Sequence, residues 1–202
     1  MKKLLLLPII FLATLSSQSQ ELTYGFVTGV NLYDIETQGG SFVNNESAIS
    51  YNFGGFLDYQ LNDSFGLKGN LIYSAANEMS YVTRAGYVYS EPFDIKVKSL
   101  QFIPHLKFDF NKEYNKGFYL FIGPRISFVL GSKDEDGNKI ENFYKATNFG
   151  AQLGFGFHFL KHFALEIVGD YGLSDTLDNN TETQTGGGYI NLNINIESIL
   201  NN

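Results

Sequence analysis

The sequence predicts an all-β protein: an eight-stranded, antiparallel, up-and-down transmembrane β-barrel that follows an N-terminal signal peptide. Three observations predict this fold class. Apolar side chains occupy every second position through eight separate stretches, which is the side-chain period of a β-strand. Between the first and last apolar positions of each set, no charged residue falls on the apolar face. The connections alternate between short and long, as they do in barrels of bacterial outer membranes.

The N-terminus has the features of a secretory signal. Two lysines precede an apolar segment at 4–15, and Ser17 and Ser19 suit cleavage after Ser19. The apolar run is shorter than the roughly 20 residues that a membrane-spanning helix needs, so a helical anchor is the weaker alternative. We therefore predict a signal peptide at 1–19 and one barrel domain at 20–202.

Composition limits the classes of function. The chain contains no cysteine, which excludes disulfides, thiolate chemistry and a lipid-anchor cysteine. Loss of the two leading lysines with the signal leaves 12 of the 14 basic residues against 21 acidic ones. Such an acidic balance does not suit a nucleic-acid partner, because neutralising phosphates requires an excess of lysine and arginine.

The eight stretches are long enough to cross a bilayer, because most reach the roughly 9–11 residues that a tilted strand needs. Their approximate bounds are 22–33, 50–61, 65–75, 95–110, 118–131, 147–159, 163–173 and 187–197. Long connections at 34–49, 76–94, 132–146 and 174–186 alternate with short ones at 62–64, 111–117 and 160–162. Since outer-membrane barrels have short periplasmic turns and long external loops, we expect both termini to be periplasmic.

One face of each stretch is apolar and rich in aromatic residues, which predicts a surface in contact with lipid. Shifting a strand by one residue would turn Asp58, Lys68, Arg125 or Glu166 toward lipid, and a cation at the midplane costs about 2–4 kcal/mol. The register is therefore well specified. The predicted outward residues are Leu22, Tyr24, Phe26, Thr28, Val30, Leu32, Phe53, Leu57, Tyr59, Leu61, Phe65, Leu67, Leu71, Tyr73, Leu100, Phe102, Leu106, Phe108, Phe110, Leu120, Ile122, Ile126, Phe128, Leu130, Phe149, Leu153, Phe155, Phe157, Phe159, Phe163, Leu165, Ile167, Tyr171, Leu173, Ile190, Leu192, Ile194 and Ile196.

The opposite face carries glycines, amides and charges. Eight strands enclose an interior just wide enough for side chains to fill, and charges enclosed there must be paired. We therefore predict a plugged lumen rather than an open pore, although a narrow pore stays an alternative. The predicted charge network pairs three cations with four carboxylates, namely Lys68, Lys107 and Arg125 with Asp58, Asp109, Glu166 and Asp170.

Two prolines lie inside predicted strands, where proline removes a hydrogen-bond donor from the ladder. Folding the hairpin symmetrically about Tyr114 sets Pro104 opposite Pro124. This paired defect predicts a local bulge or bend.

Five segments carry a family resemblance: YNFGGFLDYQLNDSFGLK at 51–68, LQFIPHLKF at 100–108, YLFIGPR at 119–125, NFGAQLGFGF at 148–157 and DYGLSD at 170–175. Together the pattern resembles the PorT-like outer-membrane β-barrel domain family. The resemblance implies an outer-membrane barrel that follows a signal peptide. Some members assist protein secretion through the type IX pathway and most have no known activity, so no catalytic motif carries over. The chain departs from many outer-membrane barrels by ending without the aromatic residue that helps insertion.

Catalysis is the weaker hypothesis. A lipid-modifying hydrolase would need a nucleophile, a base and an orienting acid that converge near lipid. The histidines are His105, His158 and His162; the first faces the lumen and the other two flank a short turn. We predict no enzyme, no cofactor and no metal. The expected partners are outer-membrane lipids and lipopolysaccharide, the barrel-insertion machinery, and secretion or envelope proteins.

Two further alternatives are disfavoured. The acidic loop at 134–141 has the opening spacing of a calcium loop, but Lys139 replaces the turn glycine and Lys145 the bidentate glutamate, so a solvated turn is preferred. A soluble lipocalin-like barrel would hold its apolar face inside, which reverses the arrangement of charges seen here.

Overall fold

The structure, a computed structural model, describes residues 21–37, 48–80, 83–84, 87–88, 93–111, 113–178 and 183–200. Within these ranges the elements are β1 (Leu22–Thr37), β2 (Ala48–Gln60), β3 (Phe65–Ser80), β4 (Thr83–Arg84), β5 (Tyr87–Val88), β6 (Phe93–Asp109), β7 (Gly117–Lys133), β8 (Thr147–Phe159), β9 (Phe163–Gly172), β10 (Thr183–Asn195) and the helix α1 (Ile196–Leu200). No helix in the described ranges is long and apolar enough to cross a membrane. The predicted signal peptide lies outside them.

Eight strands close into a barrel in the order β1-β10-β9-β8-β7-β6-β3-β2, and every neighbouring pair is antiparallel. The first and last strands close the ring, with Phe26 opposite Ile194 and Val30 opposite Ile190. The predicted eight-stranded, antiparallel, up-and-down barrel is therefore confirmed. The remaining strands, β4 and β5, form a separate two-stranded ribbon between β3 and β6.

The outer wall is a continuous apolar band. Phe53 and Leu153, from opposite sides of the ring, are each 61% exposed, and their neighbours on the same faces are exposed or half-buried. Soluble monomers rarely expose apolar patches beyond a few hundred Å². An apolar surface that encircles the barrel therefore requires lipid around it.

Several strands run further than the apolar pattern predicts. The stretches predicted to end at residues 33, 75 and 131 continue as β1, β3 and β7 to Thr37, Ser80 and Lys133. Their ladders extend beyond the apolar band, because backbone pairing does not depend on side-chain polarity. The opposite happens at the C-terminus, where the predicted strand to residue 197 ends at Asn195. Ile196 therefore begins α1 and does not belong to the outward face of a strand, which corrects that prediction.

The proline pair interrupts one ladder without shifting it. Phe102 lies opposite Ile126 and Leu106 opposite Ile122, so the same register holds on both sides and sets Pro104 opposite Pro124. No residue is inserted there, so the predicted bulge is not at the prolines; the register shift lies between Lys98 and Ser99. The strands β6 and β7 approach each other closely at this point, because a Cβ on Gly123 would collide with the carbonyl oxygen of Pro104.

Candidate functional site

Polar side chains fill the barrel interior in three layers, which we name by position. The terminal layer lies at the end that carries Leu22 and Asn195, the mouth layer lies toward the long loops, and the middle layer lies between them. The seven predicted network residues all lie in the lumen, and each charged side chain is at most 7% exposed. Alternation along each strand explains this placement, because the same register that exposes the apolar residues turns these inward.

Lys107 is the centre of the terminal layer. Its Nζ donates to Asp58 Oδ2 at 3.0 Å and to Asn115 Oδ1 at 2.5 Å, and it lies 3.5 Å from Asp109 Oδ2. The Tyr119 ring centroid lies 4.4 Å from the same ammonium. One lysine from β6 thus links a carboxylate of its own strand to a carboxylate of β2.

The turn between β6 and β7 closes this end of the lumen. The Tyr114 hydroxyl donates to Asp58 Oδ1, and the Asn115 amide donates to Thr23 Oγ1 at 3.0 Å. Burial, followed by the nearby Asp58 carboxylate, raises the pKa of Tyr114, so the phenol stays protonated and able to donate. The residues Tyr114 and Asn115 were not predicted as part of the network. The only local signal in the sequence for this turn is the asparagine at 115, because asparagine tolerates the positive φ of 60° that it adopts here.

The middle layer joins opposite walls of the barrel. Lys68 Nζ on β3 donates to Glu166 Oε1 on β9 at 2.5 Å and to Asn193 Oδ1 on β10 at 3.1 Å. The Tyr119 hydroxyl donates to the same Glu166 oxygen at 2.8 Å. Lys68 lies directly opposite Asp58 in the ladder, yet its ion pair crosses the lumen. This geometry braces the walls against each other.

His105 is a bridging group of the middle layer. Its Nδ1 lies 3.3 Å from Asn70 Nδ2 and its Nε2 lies 3.2 Å from Gln152 Oε1. Its ring centroid lies 4.7 Å from that of Phe121. Both ring nitrogens face amides and the ring packs on an aromatic side chain, so the described contacts of His105 include no hydroxyl that it could activate as a nucleophile.

Arg125 organises the mouth layer. Its Nε donates to Asp170 Oδ2 at 2.8 Å, and its two terminal nitrogens donate to Asn148 Oδ1 at 2.7 Å and to Thr185 Oγ1 at 3.4 Å. Gln152 adds a second donor to Asp170 Oδ2 at 2.8 Å. The guanidinium therefore ties β7, β8, β9 and β10 together.

An apolar cap covers the mouth layer. Tyr144 and Leu177, from the loops that follow β7 and β9, form an isolated β-bridge and pack inward on four lumen-facing residues. Those four are Ile35, Ala76, Ile95 and Val97. Lys145 Nζ bonds Asp175 Oδ2 at 2.8 Å beside the bridge. The sequence carried a signal for this cap, since the four wall residues are apolar at positions of inward parity.

Two of the cavities among the residues that the structure describes lie in the lumen. One, of about 70 Å³ (space open to the centre of a water molecule), lies between Arg125 and the cap. The other, of about 40 Å³ on the same measure, lies in the terminal layer around Lys107. The residues that line one cavity do not line the other, and each can hold a few waters at most. These two cavities therefore lie at different levels of the lumen, with no lining residue in common.

One serine–histidine contact was missed by the sequence analysis. Ser198 Oγ lies 2.7 Å from His162 Nδ1 and 3.1 Å from the carbonyl oxygen of Asn195. A carbonyl only accepts, so a Ser198 hydroxyl that donates to Asn195 accepts its other hydrogen bond from His162 Nδ1. In this arrangement the proton lies on His162, which is the reverse of what a general base needs. The contact between Ser198 and His162 also holds α1 against the turn after β8.

The acidic loop after β7 closes on itself. Asp134 accepts from the Asn138 backbone N–H at 2.7 Å and from Asn138 Nδ2 at 3.1 Å, and Gly137 takes a φ of 85° between them. Among the residues that the structure describes, no three His, Cys, Asp or Glu side chains are grouped to hold a metal ion.

Comparisons with solved structures support the fold. Neisserial surface protein A aligns with a TM-score of 0.58 and 14% identity, over 89% of this chain and 100% of its own. Ail, the attachment invasion locus protein of Yersinia pestis, in complex with the heparin analogue sucrose octasulfate, aligns with a TM-score of 0.51 and 13% identity, over 86% of this chain and 98% of its own. Sequence identities this low support a shared fold and nothing further.

Sequence comparison supplies the family. No curated protein matches the chain. Residues 16–178, which are most of the chain, match the outer membrane protein beta-barrel domain. Together with the closed barrel and its apolar outer band, this match makes the protein an integral outer-membrane barrel. The chain belongs to the outer membrane protein beta-barrel domain family.

Proposed function

We propose that the protein is a non-enzymatic structural or accessory component of the outer membrane. The observation that carries this proposal is that cross-wall ion pairs, an inserted turn and an apolar cap occupy lumen space that a pore or an active site would need. Activity is then left to the surfaces of the long loops and to partners that meet them.

The proposed membrane orientation places both termini in the periplasm and the capped mouth outside. It is supported by the lengths of the connections, since only the turns between β2 and β3, β6 and β7, and β8 and β9 are short in the described barrel. With the PorT-like resemblance, this orientation favours a role in secretion or envelope assembly. Secretion or envelope proteins are the proposed partners, alongside outer-membrane lipids and the insertion machinery.

A lipid-modifying hydrolase is the second candidate, because Ser198 and His162 are in contact. The hydrogen bond from the Ser198 hydroxyl to the Asn195 carbonyl opposes it, and so does the position of the pair at the terminal end, away from the outer leaflet in the proposed orientation. A Ser198→Ala variant separates the two functions, since Ser198 would be essential to a hydrolase and dispensable to an accessory barrel.

The test is a deletion strain complemented with wild type and with Ser198→Ala. We expect deletion to impair protein secretion or resistance to detergents and large antibiotics, both proteins to restore it, and lipid A and phospholipid profiles to stay constant. Secretion and envelope integrity that survive deletion would refute the accessory role. Lipid profiles that change on deletion and return to normal only with the wild-type protein would establish the hydrolase. Single-channel currents of the purified protein in planar bilayers would establish a pore.

A further inference from the structure

Three exposed lysines lie together on the outer wall at the loop end of β6 and β7. Lys96 lies directly opposite Lys133 in the ladder, and Lys98, two residues along β6, lies opposite Gly131. We call Lys96, Lys98 and Lys133 the basic patch. Lys139 extends it, because it forms a β-bridge with Lys133, although its ammonium is paired with Glu141 at 3.0 Å. This concentration of cations is notable in a chain of formal net charge −7.

A β-bulge creates the patch. Ser99 lies opposite Val129 but Lys98 lies opposite Gly131, so Leu130 is an extra residue in β7. The insertion reverses the parity of the strand beyond it, which turns Ser132 into the lumen opposite Val97 and turns Lys133 outward. Without the bulge, Lys133 would point inward. Bulges commonly re-aim side chains in this way.

An anion bound at the basic patch would relieve the repulsion between its lysines. Like charges directly opposite each other on one face of a sheet repel, and no ion pair among the described residues joins the three lysines to a carboxylate. Asp134, next in the chain, accepts hydrogen bonds from Asn138. A Cβ on Gly131 would have no atom within 4 Å, so the space beside Lys98 is open.

The position of the basic patch relative to the apolar band indicates which anion it binds. The apolar band on these strands ends at Leu100, Phe128 and Leu130, the last of which is 58% exposed. Lys98 lies two residues beyond Leu100, about 7 Å along the strand at roughly 3.4 Å per residue. The headgroup region occupies about the first 5–7 Å outside the hydrocarbon, and lysine stems can reach back along the wall toward it.

We propose that Lys96, Lys98 and Lys133 bind the phosphate groups of a phosphorylated lipid in the leaflet at the loop end. This inference rests on the proposed orientation, in which that leaflet is the outer one and lipid A carries the phosphates. The three ammonium groups hold phosphate oxygens above Gly131, while the lipid chains lie along the apolar band below.

The test uses the folded barrel in zwitterionic detergent, titrated with bisphosphorylated lipid A and read by native mass spectrometry. Lys96→Gln with Lys133→Gln should weaken binding roughly 30-fold, because each lysine near an anionic surface contributes about fivefold. Lys116→Gln with Lys161→Gln removes the same charge at the terminal end and should leave binding unchanged. Lys96→Arg with Lys133→Arg should retain it, and lipid A without phosphates should bind all variants equally weakly.

Equal binding by wild type and the Lys96→Gln, Lys133→Gln variant would overturn the proposal, and so would an equal loss in the terminal-end control. Displacement of lipid by inorganic phosphate would assign the site to a free anion instead. If the glutamine variant does not fold, Lys98→Glu serves, since it supplies a carboxylate to the patch and should also weaken binding. The lipid-binding assay tests the basic patch and the deletion strain tests the accessory role. The two proposals can therefore fail independently, because either result can occur without the other.

Discussion

Replacing Glu166 with alanine should lower the free energy of unfolding of the barrel by about 3–5 kcal/mol, because it leaves the Lys68 ammonium buried without its counter-charge. The pair is 2.5 Å apart, and each side chain is at most 3% exposed. The variant also removes the acceptor of the Tyr119 hydroxyl. Urea titration of the protein in phospholipid vesicles, followed by the mobility of unheated samples on gels, measures the loss.

Two controls separate burial from charge. Glu113→Ala breaks the Lys116–Glu113 pair at the surface, where both side chains are well over half exposed, and should produce no measurable change. Lys68→Met with Glu166→Leu replaces the buried pair by apolar groups of similar volume and should recover most of the stability that Glu166→Ala loses. A Glu166→Ala barrel as stable as wild type would show that the middle layer does not brace the walls.

Replacing Leu153 with arginine should lower the free energy of unfolding in vesicles by about 2–4 kcal/mol, because it places a cation near the midplane of the bilayer. Leu153 lies at the middle of β8, faces outward and is 61% exposed. The same urea titration reports the change. In a soluble barrel the substitution would place a charge in water and cost little.

The matched control is Leu160→Arg in the turn that follows β8. Leu160 is 76% exposed but lies outside the strands, so the cost should fall to about 0–1 kcal/mol. Equal losses at both positions would mean that depth in the membrane does not determine the effect, which would contradict a lipid-facing band.

The barrel and its two faces could be predicted because lipid excludes charge from one side of every strand. That single constraint determines the register, and the register in turn places Lys68, Lys107 and Arg125 in the lumen. Which carboxylate each cation meets could not be derived, because the partners lie on strands that are distant in sequence and the barrel diameter decides their reach. Lys68 shows this, since its ladder neighbour is Asp58 and its ion pair is with Glu166.

Features outside the apolar band were predicted poorly, because the pattern carries no constraint there. The bulge at Leu130 reverses the parity of Lys133, and the only local signal is the glycine that follows. The inserted turn with Tyr114 and Asn115 depends on the space left inside the terminal end, which no local pattern encodes. The cap formed by Tyr144 and Leu177 joins two loops. The apolar wall residues beneath it indicate that a cap exists, but they do not indicate which loop residues form it.

The most direct test of a barrel with lipid outside and a closed polar interior is tryptophan quenching by brominated lipids. The chain has no tryptophan, so each variant carries a single reporter. Phe155 and Phe121 lie at the same height on adjacent strands, since Phe155 pairs with Leu120 and Phe121 pairs with Gly154, but they face opposite sides of the wall. In vesicles brominated on the acyl chains, Phe155→Trp fluorescence should be strongly quenched and Phe121→Trp fluorescence should be spared. Equal quenching at both positions, or quenching of Phe121→Trp alone, would contradict the assignment of the two faces.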